Sequence, residues 1–274
     1  MTTRSAASTA PSAPRAVGDL LREWRQRRRL SQMDLALEAE ISTRHLSFVE
    51  TGRAAPSREM VLHLAESLDI PLRDRNVLLV AAGFAPVFPE RRLDDPGLEA
   101  ARRAIDLVLA GHEPYPAVAL DRHWDIIAHN RCIAPFLEGC APELLTPPIN
   151  MVRLSLHPQG IAPRIENLGE VRAHVLARLR RQIELTADPV LEALLAEVSA
   201  WPVPFSQPHP RKGQEAAELF IPVRLRTAVG PLTLISATTV FGTPVDVTLA
   251  ELAIETFLPA DAGTAERLRT MMAG

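Results

Sequence analysis

The stretch "LSQMDLALEAEISTRHLSFVETGRAAPS", Leu30 to Ser57, decides how the chain begins. Two short amphipathic runs flank a turn at Ala39, Glu40 and Ile41. The first run carries Met33, Leu35, Ala36 and Leu37, and the second has Leu46 and Val49 inward. The Ser31 hydroxyl is placed to cap the first helix, and Ser42 or Thr43 the second, by accepting from a free backbone N–H. Gly52 closes the second helix, as a left-handed residue should. Neither run can bury its stripe alone, so both need neighbours. On one side Val17, Leu20, Leu21 and Trp24 predict a helix from Val17 to Arg28. On the other, Ser57 opens a helix through "SREM", read as a capping box, with Met60, Leu64 and Leu68 inward. Pro71 ends it, and "LRDRNVLLVAAGF" makes a fifth helix closing at Gly83.

A helix, a tight turn and a second helix, buttressed on both sides, form the layout of a helix-turn-helix unit that reads DNA. The second short helix needs only one buried stripe, which leaves Ser42, Thr43, Arg44 and Ser47 free to enter a major groove. Arg44 can address a guanine edge with two hydrogen bonds, worth ~1–3 kcal/mol of discrimination. Gln32 is placed to reach a phosphate. Arg53 and the arginines of the first helix are placed for backbone contacts, which position a protein without reading sequence. Phe48 flanks the recognition helix, where it either touches a thymine methyl or packs at the edge of the bundle.

The whole chain has 274 residues, room for more than one domain, and 47% hydrophobic against 23% charged residues, the composition of an ordinary soluble protein. No apolar run approaches the ~20 residues of a membrane span. Residues 1–14 are small and polar, lack the apolar core of a secretion signal, and read as a disordered tail on a cytoplasmic protein. The two cysteines, Cys132 and Cys140, read as reduced thiols. Net charge is −3, but Arg15–Arg92 carries 13 basic and 11 acidic residues while Leu93 onward carries 16 and 22. The basic part comes first, densest at Arg22, Arg25, Arg27, Arg28 and Arg29.

"APVFPERRLDDPG" interrupts the helical pattern with prolines and no periodicity, which places a boundary near Phe88 to Pro96. The expected organisation is a tail at 1–14, a DNA-binding domain at 15–88, and a linker with a ligand-binding and dimerisation domain at 89–274. A connecting helix follows the linker, carrying Leu98, Ala101, Ile105, Leu107, Val108 and Leu109. "AVALDRHWDIIAHN" then reads as a hairpin around "DRH". "NLGEVRAHVLARLRRQIEL" and "PVLEALLAEVSAW" are helical. "ELFIPVRLRTAV", "GPLTLISATTVFG" and "DVTLAELAIETFLP" read as three strands, the first two joined at Gly230–Pro231. The fold class is therefore multi-domain: an all-α five-helix bundle, then an α+β domain with an antiparallel five-stranded sheet.

Residues 17–83 resemble the XRE-type, lambda-repressor-like helix-turn-helix family through "LSQMDLA", "STRHLSFVETGR" and "PSREMVLHLAESL". The family commonly has Gly in the turn where this chain has Glu40. Together with "HEPYPAVALDRHWDIIAHN", "RLSLHP" and "ELAIETFLPAD", the pattern resembles MmyB-like transcription regulators over most of the chain. That resemblance implies a PAS-like second domain and a bound fatty acid as effector ligand, with no other cofactor.

Candidate lining residues for such a cavity are Trp124, Ile126, Phe136, Leu137, Met151, Phe205, Phe220 and Phe241, apolar side chains that equally suit a packed core. Arg153 is the candidate partner for a ligand carboxylate, and Asn130 the candidate cap of a helix starting at Arg131. His123, His129, Cys132, Cys140 and His157 have none of the tight spacings that mark a metal site. With no nucleophile elbow, phosphate loop or telling carboxylate pair, the chain reads as a non-enzyme. The expected function is a homodimeric regulator that binds a double-stranded DNA operator under control of a small apolar ligand. The alternative is a ligand-independent dimeric repressor whose second domain only dimerises.

Overall fold

Serine caps and left-handed residues at Arg29, Glu40, Gly52, Asp69 and Gly83 set out the N-terminal elements. In a computed structural model describing residues 15–202, 221–242 and 246–273, α1 (Val17–Arg27), α2 (Gln32–Glu38), α3 (Thr43–Glu50), α4 (Arg58–Ser67) and α5 (Leu72–Ala81) follow in order. The tail at 1–14, Phe205 and Phe220 lie outside the described residues. The chain divides into two compact units, Met1–Phe88 and Pro89–Gly274. Ser31 accepts from the Asp34 N–H at 3.1 Å and Asp34 accepts from the Ser31 N–H at 2.8 Å, a complete capping box. Ser42, not Thr43, caps α3, accepting from His45 N–H at 3.1 Å. Ser57 accepts from Met60 N–H at 3.2 Å. Met60 has no acceptor to return, so "SREM" makes only half of a capping box.

The turn keeps the geometry for which glycine is usual. Glu40 has φ 50°, and Ile41 donates its N–H back to the Ala36 carbonyl at 2.9 Å. Leu21, Leu35, Leu46, Leu64, Leu68, Ile70, Leu78 and Leu79 are fully buried and form one core under the five helices. Gly18 lets α1 press on the end of α3, because a Cβ there would sit 2.4 Å from the Val49 carbonyl oxygen.

In the C-terminal unit α6 (Glu99–Gly111) precedes a hairpin of β1 (Ala117–Leu120) and β2 (Ile126–His129). Four helices follow: α7 (Ala134–Leu137), α8 (Met151–Leu156), α9 (Leu168–Thr186) and α10 (Pro189–Ser199). Then come β3 (Val223–Thr227), β4 (Gly230–Val240), α11 (Val247–Ala250), β5 (Ala253–Pro259) and α12 (Ala262–Ala273). The strands form one five-stranded sheet in the order β2-β1-β5-β4-β3, every pair antiparallel.

Strand alternation gives this sheet two faces. Ala117, Ala119 and Ile254 pack with Ile105 and Leu109 of α6 on one face. Val118, Leu120, Leu225, Leu232 and Leu234 face the larger core, with side chains of α7 to α10 and α12. An irregularity between Ala119 and Leu120 pairs Leu120 with Ile126 and Ala119 with Ala128. That shift lets Ile126 join the larger core although Ala128, two residues on, joins the other.

Three local expectations need correction. The β3–β4 hairpin turns at Ala228–Val229, with Thr227 paired to Gly230, and the Thr227 hydroxyl donates to the Gly230 carbonyl at 2.6 Å. "DVTLAELAIETFLP" is not one strand, because Asp246 accepts from Thr248 N–H at 2.9 Å and starts α11. Asn130 makes no side-chain cap to the helix at Arg131. Its buried amide instead donates to the Leu109 and Tyr115 carbonyls and accepts from Ala117 N–H, tying α6 to β1.

Candidate functional site

The bundle presents the start of α3 outward. Ser42, Thr43 and Arg44 are exposed and Ser47 is half-buried, while Leu46 and Val49 hold the helix to the core. Phe48 lies between two cations, with the Arg44 guanidinium 5.3 Å and the Arg53 guanidinium 6.0 Å from its ring centre. Its half-buried ring therefore serves as a platform that gathers both arginines at one edge of the helix.

Behind that helix sits a buried carboxylate. Glu50 is 1% exposed and accepts Arg25 Nε at 2.7 Å and Arg25 Nη2 at 2.9 Å, a bidentate pair. Gln32 Nε2 donates to it at 2.8 Å, and Arg22 donates to the Glu50 carbonyl at 2.8 Å. Burial alone would push the Glu50 carboxyl up; the hydrogen bonds from Arg25 and Gln32 and the nearby arginine charges outweigh it and hold the group below the usual carboxylate range. One network thus ties α1, α2 and α3 together.

Several members of the arginine cluster are internal struts. Arg25 is spent on Glu50 and on the Leu30 carbonyl at 2.8 Å, and Arg28 donates to the Leu68 and Asp69 carbonyls at the end of α4. Gln32 turns its amide donor inward to Glu50. These groups fix the angle at which α3 is presented, whereas Arg44 and Arg53 lie at the surface.

The second unit contains a cavity of about 100 Å³ on the larger-core face of the sheet. That is several times the ~10–15 Å³ a single water requires on the same measure. Trp124, Ile126, Phe136, Leu137 and Met151 all border it. Phe241 does not: it packs with the α6 cluster on the other side of the sheet.

Arg153 does not border the cavity either. Its Nη2 and Nε donate to Glu197 at 2.7 and 2.9 Å, a bidentate pair between α8 and α10 that leaves the side chain 42% exposed. The cation at the cavity is Arg178 of α9, with His174 one turn before it and Glu255 of β5 facing it. Arg178 Nη1 donates to Glu255 Oε1 at 3.1 Å, Nη2 donates to the Thr238 hydroxyl at 3.2 Å, and the guanidinium lies 4.5 Å over the Trp124 ring. Burial pushes the His174 imidazole below its usual range, with the Arg178 charge adding to the effect and Glu255 opposing it.

Trp124 is itself held under strain. Its φ is 69°, a conformation rare for a bulky residue. Its carbonyl accepts from Met151 N–H at 2.8 Å, its indole donates to Gln182 at 2.8 Å, and Asp121 accepts from His123 and Asp125 N–H on either side. Such over-determined strain clusters at ligand sites.

The histidines and cysteines weighed as metal ligands lie apart. His123 pairs with Asp188 at 2.9 Å, His129 with the Asn130 carbonyl, and His157 packs edge-on to Trp201. Both cysteines are buried and free.

Comparison with known proteins places these geometries in context. Residues 16–78 match a helix-turn-helix domain model, and residues 101–271 match the MmyB-like transcription regulator ligand binding domain. A "Putative HTH-type transcriptional regulatory protein" from Methanoculleus marisnigri is 33% identical over 120 residues, covering 42% of this chain and 38% of that protein. The chain thus spans well under half the length of that curated relative. Among solved structures, an RNA-binding light-oxygen-voltage receptor aligns at 12% identity and a TM-score of 0.28, covering 97% of this chain and 64% of the other.

Proposed function

Because the chain belongs to the MmyB-like transcription regulators, we propose that it binds a double-stranded DNA operator through α3 and that a small apolar ligand in the C-terminal cavity modulates that binding. The N-terminal helix-turn-helix and the ligand-binding domain make the protein a transcription regulator. The observation that carries the DNA reading is the exposed leading end of α3, with Ser42, Thr43 and Arg44 outward on a helix whose base is locked by Glu50. Ser47 and Arg53 extend the same edge. Arg44 addresses base edges and Arg53 phosphates. Gln32 acts by holding the α2–α3 geometry through Glu50.

The ligand reading is supported by a preformed, mostly apolar cavity bordered by Trp124, Ile126, Phe136, Leu137 and Met151. A molecule with a fatty-acyl tail suits that lining. The regulator acts as a cytoplasmic homodimer, so its operator carries two half-sites spaced by about one helical turn or a multiple of it. The ligand works only through different affinities for the DNA-competent and incompetent states.

Selection of duplexes by the purified full chain, paired with native mass spectrometry of the same preparation, tests both halves. Enrichment of a paired-half-site sequence, together with a lipid-sized mass on the protein, is the expected result. Enrichment without bound mass, and without uptake of added medium-chain lipid, favours the ligand-independent dimeric repressor. Failure to enrich any duplex refutes the regulator reading.

A further inference from the structure

We propose that the cavity selects an apolar molecule with a neutral hydroxyl head, a long-chain alcohol rather than a carboxylate, through the free oxygen of Glu255. The inference rests on the reading that this cavity takes an apolar ligand, and adds the chemistry of the head group.

Glu255 stands in the central strand β5, 5% exposed, beside Val118 of β1 and Thr238 of β4. Its Oε1 accepts from Arg178 at 3.1 Å. Its Oε2 is buried and has no hydrogen-bond partner among the described residues. A buried carboxylate oxygen without a donor is costly, and the great majority of such groups are satisfied. Glu255 borders the cavity, so a molecule held there can supply that donor.

Charge decides which donor fits. The Arg178 guanidinium is already matched by Glu255, by the Thr238 hydroxyl and by the face of Trp124. The pair is neutral as a unit, and what it leaves open is an acceptor. An incoming carboxylate would set a second negative charge beside Glu255 with no free cation among the described lining residues to offset it, since Arg153 is held by Glu197 away from the cavity. An alkylammonium would satisfy Glu255 but face Arg178. A neutral O–H donates to Oε2 and disturbs neither. Burial pushes the His174 imidazole below its usual range, which disfavours a second positive charge there. The remaining wall, including Val118, Ile133, Phe136, Val175 and Leu234, accepts a hydrocarbon tail.

The test is calorimetric titration of the full-length delipidated protein with 1-decanol, decanoate and decylamine, repeated with Glu255→Gln. Decanol is expected to bind wild type about tenfold more tightly than either charged analogue, as one hydrogen bond to a buried charge allows. An alcohol is also the easiest of the three to desolvate, so the decisive quantity is the change between variants. Glu255→Gln removes the charge, keeps the shape and offers an N–H, and should bring decanol and decanoate to within about twofold. Decanoate binding wild type as tightly as decanol overturns the proposal, a result that stands even if the variant does not fold. So does a decanol preference that survives Glu255→Gln unchanged. Absence of heat and of thermal stabilisation with all three ligands overturns the ligand reading itself, and this inference with it.

Discussion

Arg44, Phe48 and Arg53 act as one small device. The ring sits 5.3 Å and 6.0 Å from the two guanidinium carbons, a stacking worth about 0.5–1 kcal/mol at an exposed site. Arg44→Ala is expected to lose discrimination at about one or two base pairs, ~1–3 kcal/mol each. Arg53→Ala is expected to weaken all duplexes alike and to lower the salt slope by about one. Quantitative footprinting across operator variants checks both, and an unchanged base preference in Arg44→Ala contradicts the roles. Glu50 is the residue on which this surface depends. Glu50→Ala strands Arg25 in a buried site, and breaking a buried pair costs about 3–5 kcal/mol. The sign with pH follows from the direction of its shift. The Glu50 carboxyl titrates lower folded than unfolded, so its contribution is present above the ordinary carboxylate range and is lost as pH falls through the folded value. Urea midpoints in acid should therefore fall faster for wild type than for Glu50→Gln.

At the scale of elements, the two positions that set the bundle geometry give opposite predictions. Glu40 occupies the left-handed region at φ 50°, which costs a side-chain-bearing residue roughly 1 kcal/mol. Glu40→Gly is expected to raise stability by about 0.5–1 kcal/mol, read as a higher denaturation midpoint with unchanged DNA binding. Gly18 is the converse. Alanine improves helix propensity by about 1 kcal/mol, but its Cβ would stand 2.4 Å from the Val49 oxygen. Overpacking against backbone costs about 1–3 kcal/mol, so Gly18→Ala is expected to destabilise and to tilt α3. A midpoint above wild type would refute that reading. The helices here are legible in the sequence because serine caps, Gly52 and the apolar stripes act within one turn. Gly18 is not legible, since its reason is a carbonyl thirty-one residues away. "DVTLAELAIETFLP" reads as one strand for a similar reason. Its β-branched residues favour a strand, and only Asp246 acting as a cap breaks the segment in two.

For the whole molecule, the apolar half of the ligand site is readable and the polar half is not. Trp124, Ile126, Phe136, Leu137 and Met151 border the cavity because aromatic and aliphatic side chains near a sheet turn inward together. Arg153 lies away from the cavity for a physical reason: a cation on a short helix finds the nearest carboxylate, here Glu197 of α10. Arg178 hides among the arginines of "RLRRQIEL", where nothing in the spacing marks which of them turns toward the cavity. Glu255 leaves one trace, an acid in phase with Phe257 on a strand whose other polar residue is Thr256. On the proposed function, the N-terminal unit presents α3 to duplex DNA and the C-terminal unit offers a lined cavity to a ligand, so one chain would sense and act by binding free energies alone. The direct test is the affinity of the full chain for its selected duplex, measured by fluorescence anisotropy without ligand and with saturating 1-decanol. A change of about fivefold or more, the usual range of coupling between sites, is the predicted result. An unchanged affinity, with calorimetry reporting the cavity filled, would contradict the account.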